Sequence, residues 1–535
     1  MSRVRPLAFI LILSLLVSIA VAKLYIPFAV VGWDESVYLM WAYRIYNAVR
    51  QADIAKFWQV TFDQFNYYPP LQSWILGIIL IPIGFSIETA RIVGLLWLIM
   101  GSILVFLLGK AIGRNHGVFV GTVSSLLYLT SPMVLSHSAI ALKEMMGGTL
   151  TILALLAYTW VRTKTRLVYY VFVGILLFTL TLAKYNYGVL LAGALLMEAL
   201  VAFTISTSKE RPVIFRFHLI MYTVFGLLLS FWLLYPTNRI PHFIYTLSNP
   251  FPLWATTDLA GYLLFYPRAI LLMYSASVII GSFLLLSLIL AVLYMKNFRI
   301  RILWFSIVIN LIVGEIHTIN MEDRYIFTTV PALFILGTFV WTDLITKITI
   351  LLKRIRCLFI GIVIACVIGI KLLLDLFRLP NYVSAVGGYS LKFPVFNQLD
   401  YVDSYFNYNT ATWPHILPSK KNEKPDDVIE YIVSSVDLTK SVDIIGFTNE
   451  FPPDYVGFIM DQHKNTNNFP RLPYSSYLVT IEILPTSRYY TKEYLAKNAF
   501  ALPQIRKSEQ DPTLILVKQK TFEELGVRAG IYAVR

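Results

Sequence analysis

Apolar runs long enough to cross a bilayer recur along this chain as far as residue 376, and that repetition limits its fold more than any other feature. Inside hydrocarbon no water is present to satisfy backbone N–H and C=O groups, so runs of this kind cross as helices of about 20 residues. We place spans near residues 7–27, 89–109, 117–134, 147–161, 167–183, 185–206, 217–235, 268–294, 302–318, 325–345 and 357–376. Composition agrees: the chain is 57% hydrophobic and only 14% charged, with mean hydropathy +0.66, too apolar for a soluble globular protein. The first run, about Pro6 to Phe28, exceeds a signal-peptide core and lacks a small-residue cleavage site, so it reads as a retained helix.

Residues 71–86 are apolar too, but they number only sixteen, follow Pro69-Pro70 and contain Pro82 and two glycines. Basic residues decide their role. If 71–86 does not cross, one side collects Arg3, Arg5, Lys110, Arg114, Arg162, Lys164, Arg166, Lys209, Arg211, Arg216, Lys296, Arg299, Arg301, Lys347, Lys353, Arg354 and Arg356. The positive-inside rule makes that side cytoplasmic. The expectation is a polytopic α-helical protein of eleven spans, N-terminus in and C-terminus out, in the plasma (inner) membrane. The net charge of +14 then reflects orientation and not a nucleic-acid partner.

With that topology, Asp34, Glu35, Glu144, Lys184, Glu322, Asp323 and Arg324 all fall on the outer side, at or near span ends. Two adjacent carboxylates in Trp33-Asp34-Glu35-Ser36-Val37-Tyr38 are costly beside a bilayer unless used. The plainer reading is a solvated helix start, where acids favour the dipole. The first outer loop, 29–88, is structured: Tyr38, Ala42, Ile45 and Val49 recur at helical spacing, as in an amphipathic helix at the membrane surface. The aromatic passage Phe57, Trp58, Phe62, Phe65, Tyr67 and Tyr68 suits an interfacial belt, or a platform for lipid or sugar.

After residue 376 the composition turns polar, with short apolar runs at 442–447 and 513–517 and a helical stretch over 425–436. We read 1–376 as the membrane domain and 377–535 as an extracytoplasmic, mixed α/β domain. Cys357 and Cys366 share one late apolar run, so they set no disulfide framework and no metal cluster. No Walker loop, GxGxxG, HExxH or GxSxG signature occurs. His137 and His317 lie near span ends and read as satisfied interior or interface groups.

Seven short motifs follow in order: Asp34-Glu35-Ser36-Val37-Tyr38, Tyr68-Pro69-Pro70-Leu71, Ala90-Arg91-Ile92, Gly113-Arg114, Glu144 at a span start, Leu182-Ala183-Lys184, and Asp323-Arg324-Tyr325 ahead of Pro331. Over about residues 1–345 this series resembles the GT-C membrane glycosyltransferases, nearest the protein O-mannosyltransferases and lipid A aminoarabinose transferases. The resemblance implies transfer of a sugar, with inversion, from a polyprenyl-phosphate donor to a protein, glycan or glycolipid acceptor at the outer face. It implies Asp34 as general base, Glu35 as its partner or an acceptor-orienting group, and Glu144 where relatives carry an Asp. Lys184, Arg91 and Arg324 would neutralise the departing lipid phosphate, and Tyr38 and Tyr68 would touch substrate. Some relatives use a divalent cation and others do not; with few close carboxylates visible, the expectation is that none is required, a divalent cation being the open alternative. Tyr68 and Val37 stand where some relatives carry basic residues, which argues against aminoarabinose transfer as such. The rival reading is a transporter or flippase of a lipid-linked sugar, against which stand the missing internal repeat and the gathering of acids at one face.

Overall fold

The computed structural model describes residues 5–24, 26, 33–65, 69–162, 166–236, 238–241, 243–244, 266–267, 269–275, 278–317, 323–352, 425–436, 441–445, 476–484, 505, 507, 510–523 and 527–534. Six segments among them are long and apolar enough to cross a membrane: Arg5–Lys23, Ile87–Leu129, Lys143–Val161, Tyr185–Ile205, Arg211–Leu234 and Arg324–Ile348. Leu167–Ala183 and Ile279–Tyr294 are apolar but shorter. The chain is a multi-pass membrane protein. The span expected over 357–376, with both cysteines, lies outside the described residues, as do Glu322 and the side chains of Asp323 and His317.

The chain divides into two compact units, Met1–Leu24 with Ala48–Leu379, and Tyr25–Asn47 with Pro380–Arg535. The cuts fall after Leu24, after Asn47 and after Leu379, whereas the sequence reading places a single boundary at residue 376.

The first unit opens with α1 (Arg5–Leu24). Helix α2 (Trp33–Arg50) starts at the acidic pair and continues from the second unit into the first. Its expected apolar face is buried at Tyr38, Ala42 and Ile45, and Glu35 is buried as well, at 2% exposure. Helix α3 (Ile54–Phe65) carries the aromatic passage, and α4 (Leu71–Ile79) follows Pro69-Pro70. At about 1.5 Å per residue α4 is about 14 Å long, half of what a crossing needs. Residues 71–86 therefore hold no spanning helix, as the basic loops require. Part of the aromatic passage packs together, with Trp58 itself exposed: Trp58 stands against Phe62 (5.7 Å between centroids) and Trp74 (6.3 Å), and Trp74 meets Trp232 edge-on at 5.8 Å. The Arg239 guanidinium lies 4.7 Å over the Phe62 ring and donates to the carbonyls of Trp232 and Tyr235.

Helix α5 (Ile87–Gly113) begins at Ser86, whose hydroxyl accepts from the Thr89 N–H in a capping box. A 3-10 turn, Arg114–His116, leads to α6 (Gly117–Leu129). The span expected over 117–134 ends at Leu129, because Pro132 cannot continue the ladder and starts a separate short helix, α7 (Pro132–Ser138). Then follow α8 (Lys143–Val161), α9 (Leu167–Ala183), α10 (Tyr185–Ile205), α11 (Arg211–Leu234), α12 (Val278–Leu290), α13 (Phe298–His317) and, after a 3-10 turn over Asp323–Thr329, α14 (Val330–Leu352).

A buried polar network ties four of these helices. The Tyr158 hydroxyl on α8 is 2.6 Å from Glu198 Oε2 on α10 and 2.6 Å from His218 Nε2 on α11. Arg301 on α13 donates to Glu198 Oε1 at 2.9 Å, and Arg162 stands 3.7 Å from the same oxygen. Glu198 is fully buried and would be prohibitively costly there without those guanidinium partners.

In the second unit, α15 (Pro425–Ser435) accompanies a four-stranded sheet. Strands β1 (Ser441–Ile445), β2 (Ser476–Ile483), β3 (Leu514–Phe522) and β4 (Val527–Val534) lie in the order β1-β2-β4-β3, with β1 parallel to β2 and the other pairs antiparallel. Glu482 and Arg528 face each other across β2 and β4 as an ion pair. Buried Val428, Ile429, Ile432 and Val433 give α15 one apolar face, and Tyr431 meets Phe522 of β3 edge-on.

Candidate active site

The site is built where two helices fold back on each other. Lys184 ends α9 in an extended conformation (φ −157°, ψ 132°), and α10 begins at the next residue. Its N–H still reaches the Leu180 carbonyl at 3.0 Å, and its carbonyl accepts from the Tyr187 N–H at 3.0 Å, so the backbone at the corner stays satisfied. Only glycine fits the inner side of this corner: a Cβ at Gly188 would lie 2.0 Å from Thr181 Oγ1 and 2.4 Å from the Leu177 carbonyl oxygen. The corner thereby throws the Lys184 side chain across to α8.

Glu144 meets it there. It sits in the first turn of α8, where the helix dipole favours a carboxylate. Its side chain is fully buried, while that of Lys184 retains 14% exposure, and Nζ stands 3.5 Å from Oε1. The ammonium also lies 4.5 Å over the Tyr325 ring and 5.1 Å over the Tyr187 ring. Aromatic faces attract a cation where little water reaches it. Gly147, on the next turn of α8, lets Tyr187 approach: a Cβ there would come 2.2 Å from the ring.

Arg324 and Lys143 act electrostatically on Glu144 together with Lys184. Among the described side chains this makes three cations around one carboxylate, a surplus of positive charge in a poorly solvated place. Such a place suits an anion with more than one charge.

His137 belongs to the same cluster, electrostatically coupled to Glu144, Arg324 and Lys184 and with its ring 4.9 Å from that of Phe327. Its Nδ1 is 2.9 Å from the Met133 carbonyl, which only accepts, so the proton sits on Nδ1 and Nε2 carries a lone pair. Burial pushes the imidazole down to about 4, so it is neutral at physiological pH. The reading of His137 as a satisfied interior group therefore holds for Nδ1 alone, because Nε2 is buried without a partner among the described residues.

Of the residues expected from sequence, Glu144, Lys184 and Arg324 come together. Arg91 is buried on α5, one turn before Gly94, where the Ser138 carbonyl crosses so closely that a Cβ would lie 2.6 Å from it. It thus stands on the helix that supports the segment after His137. Glu35 and Tyr38 are buried on the part of α2 that belongs to the second unit. Asp34 is the second residue of α2; its side chain, and Tyr68 altogether, lie outside the described residues.

No protein-family model matches the sequence, and no curated protein does. Solved structures do match. ArnT from Cupriavidus metallidurans in the apo state aligns with a TM-score of 0.59 at 12% identity, over 100% of this chain and 98% of that one. The same protein bound to undecaprenyl phosphate aligns at 0.56 and 12% identity, over 98% of this chain and 97% of that one. The chain has the GT-C fold. The archaeal oligosaccharyltransferase AglB from Archaeoglobus fulgidus, in complex with an inhibitory peptide and a dolichol-phosphate, matches at 0.46 and 11% identity, over 89% of this chain and 69% of that one. Among the described residues no three His, Cys, Asp or Glu side chains gather.

Proposed function

We propose that this protein is a membrane glycosyltransferase that moves a sugar from a polyprenyl-phosphate donor to a hydroxyl of a protein, glycan or glycolipid at the outer membrane face. The observation that carries this reading is the buried Glu144–Lys184 pair with its surplus of cations. It is set in a fold shared over nearly the whole chain with a protein crystallised with undecaprenyl phosphate. A lipid phosphate is an anion of the charge that cluster favours. In the proposed reaction Asp34 takes the proton of the acceptor hydroxyl, whose oxygen bonds to the anomeric carbon from the face opposite the phosphate. The bond from that carbon to the phosphate oxygen breaks, and the lipid phosphate leaves with the electron pair. Lys184 and Arg324 stabilise the charge that develops on it, and Glu144 holds the ammonium in place. Glu35 orients the base or the acceptor, and Arg91, Tyr38 and Tyr68 are the remaining candidate contacts.

The test is transfer by purified protein in liposomes from labelled polyprenyl-phosphate sugars, comparing wild type with Asp34→Asn. We expect wild-type transfer and a loss of at least about a hundredfold in a folded Asn variant, the usual scale for a positioned base. Equal rates would remove Asp34 from the chemistry. Label crossing the bilayer with no transfer would make the protein a transporter.

A further inference from the structure

His137 is not among the residues the proposed reaction uses, yet its neutral imidazole lies in the charged cluster. A buried acceptor left without a donor costs about 1–3 kcal/mol, and here the cost could have been avoided. Ser136 and Ser138 on either side both satisfy their hydroxyls on carbonyls of α7, at 3.2 Å and 2.7 Å. The Nδ1 proton is committed to Met133, so the ring cannot present N–H at Nε2 without becoming a cation. Lys184, Arg324 and Lys143 already crowd Glu144, which makes a further cation unfavourable. Nε2 is therefore held as a hydrogen-bond acceptor, 1% exposed. Both Glu144 oxygens likewise lack a well-formed hydrogen bond, the Lys184 ammonium facing them as an ion pair. The Tyr187 hydroxyl, a donor, lies beside them. A neutral lone pair buried beside those charges complements an uncharged O–H or N–H group on a ligand. A lipid phosphate is not such a ligand, but a polyhydroxylated sugar is.

We propose that His137 Nε2 reads the sugar of the carrier-linked donor, accepting a hydrogen bond from one of its hydroxyl or amino groups beside the cations that hold the phosphate. The assignment rests on the glycosyltransferase reading and adds a specificity-determining residue to it. It divides the cluster by chemistry: cations steadied by Glu144 for phosphate, and a neutral lone pair for sugar.

The test compares full-length wild type, His137→Phe and His137→Gln in detergent, measuring binding of bare polyprenyl phosphate and of polyprenyl-phosphate-linked hexoses. Phe keeps a ring against Phe327 and removes the acceptor; Gln restores an oxygen acceptor. We expect His137→Phe to bind the bare carrier as wild type does and the sugar-linked carrier about tenfold more weakly, the size of one hydrogen bond. His137→Gln should recover most of that loss. A donor lacking the hydroxyl that Nε2 reads should bind wild type and His137→Phe alike. Equal weakening for bare and sugar-linked carriers would make His137 a packing residue and overturn the assignment, as would no weakening for either. Wild-type binding of the sugar-linked carrier that EDTA removes and manganese restores, an effect absent in His137→Phe, would assign Nε2 to a cation and also overturn it. Failure of wild type to bind polyprenyl phosphate at all would instead remove the lipid-donor reading, and this inference with it.

Discussion

Lys184 and Glu144 are both visible in the sequence as charges at span ends, but their meeting at 3.5 Å depends on the single-residue corner between α9 and α10. Lys184→Ala should weaken binding of the lipid donor by about tenfold or more while leaving acceptor binding near wild type; titrations of each substrate against the purified variant check this. Equal loss of both would remove the phosphate role. His137 makes a separate prediction in pH. Its folded value of about 4 lies below the ordinary 6.5 because burial disfavours the imidazolium. As pH falls, the unfolded chain takes up the proton first, so the contribution of His137 to stability is complete above about 6.5 and drains away between 6.5 and 4. Up to about 3 kcal/mol is involved. Thermal melts of wild type against His137→Gln over that range should show a steeper acid decline in wild type. That histidine escaped the sequence reading because one near a span end is ordinarily satisfied. The available signal was Ser131-Pro132, which marks α7 as a helix apart from the span. Glu198 escaped too, although an acid inside an apolar run is by default a group with a task. Its partners Tyr158, His218 and Arg301 come from three other helices, and no local pattern brings them together.

Helix packing gives predictions of opposite sign on a single element. Gly188→Ala would drive a methyl into Thr181 and the Leu177 carbonyl, and should destabilise the folded protein by about 1–3 kcal/mol. Gly193→Ala on the same helix meets nothing within 4 Å and should stabilise it by up to about 1 kcal/mol through helix propensity. Melting temperatures of the two variants in one detergent decide the matter, and equal shifts would show that the corner is not tight. Removing Glu198 by substitution with Ala would leave Arg301 and Arg162 without their carboxylate and should cost about 3–5 kcal/mol. At this scale the sequence was a good guide wherever prolines and glycines punctuate it. The pair Pro69-Pro70 placed the start of α4, and the acidic pair placed the start of α2. The order β1-β2-β4-β3, with its one parallel pairing, was not legible, because short alternating runs fix neither partner nor direction.

For the whole molecule, the basic loops predict which ends face the cytoplasm. With the native cysteines replaced, a membrane-impermeant thiol reagent should label Glu523→Cys, at the exposed end of β3, in intact cells. Lys209→Cys, between α10 and α11, should be labelled only after permeabilisation. The reverse pattern would invert the protein and move the sheet to the cytoplasm. Helices α8 and α10 carry the Glu144–Lys184 pair near their starts and, fourteen residues on in each, the Tyr158–Glu198 pair. At about 1.5 Å per residue these two fastenings stand about 21 Å apart along a matched pair of rods. The stretch between is held in register from both ends, so its apolar side chains are free to be exchanged for others of similar volume without shifting the Glu144–Lys184 pair. Substitutions along that stretch should therefore lower the melting temperature less than substitutions at Glu144, Lys184, Tyr158 or Glu198.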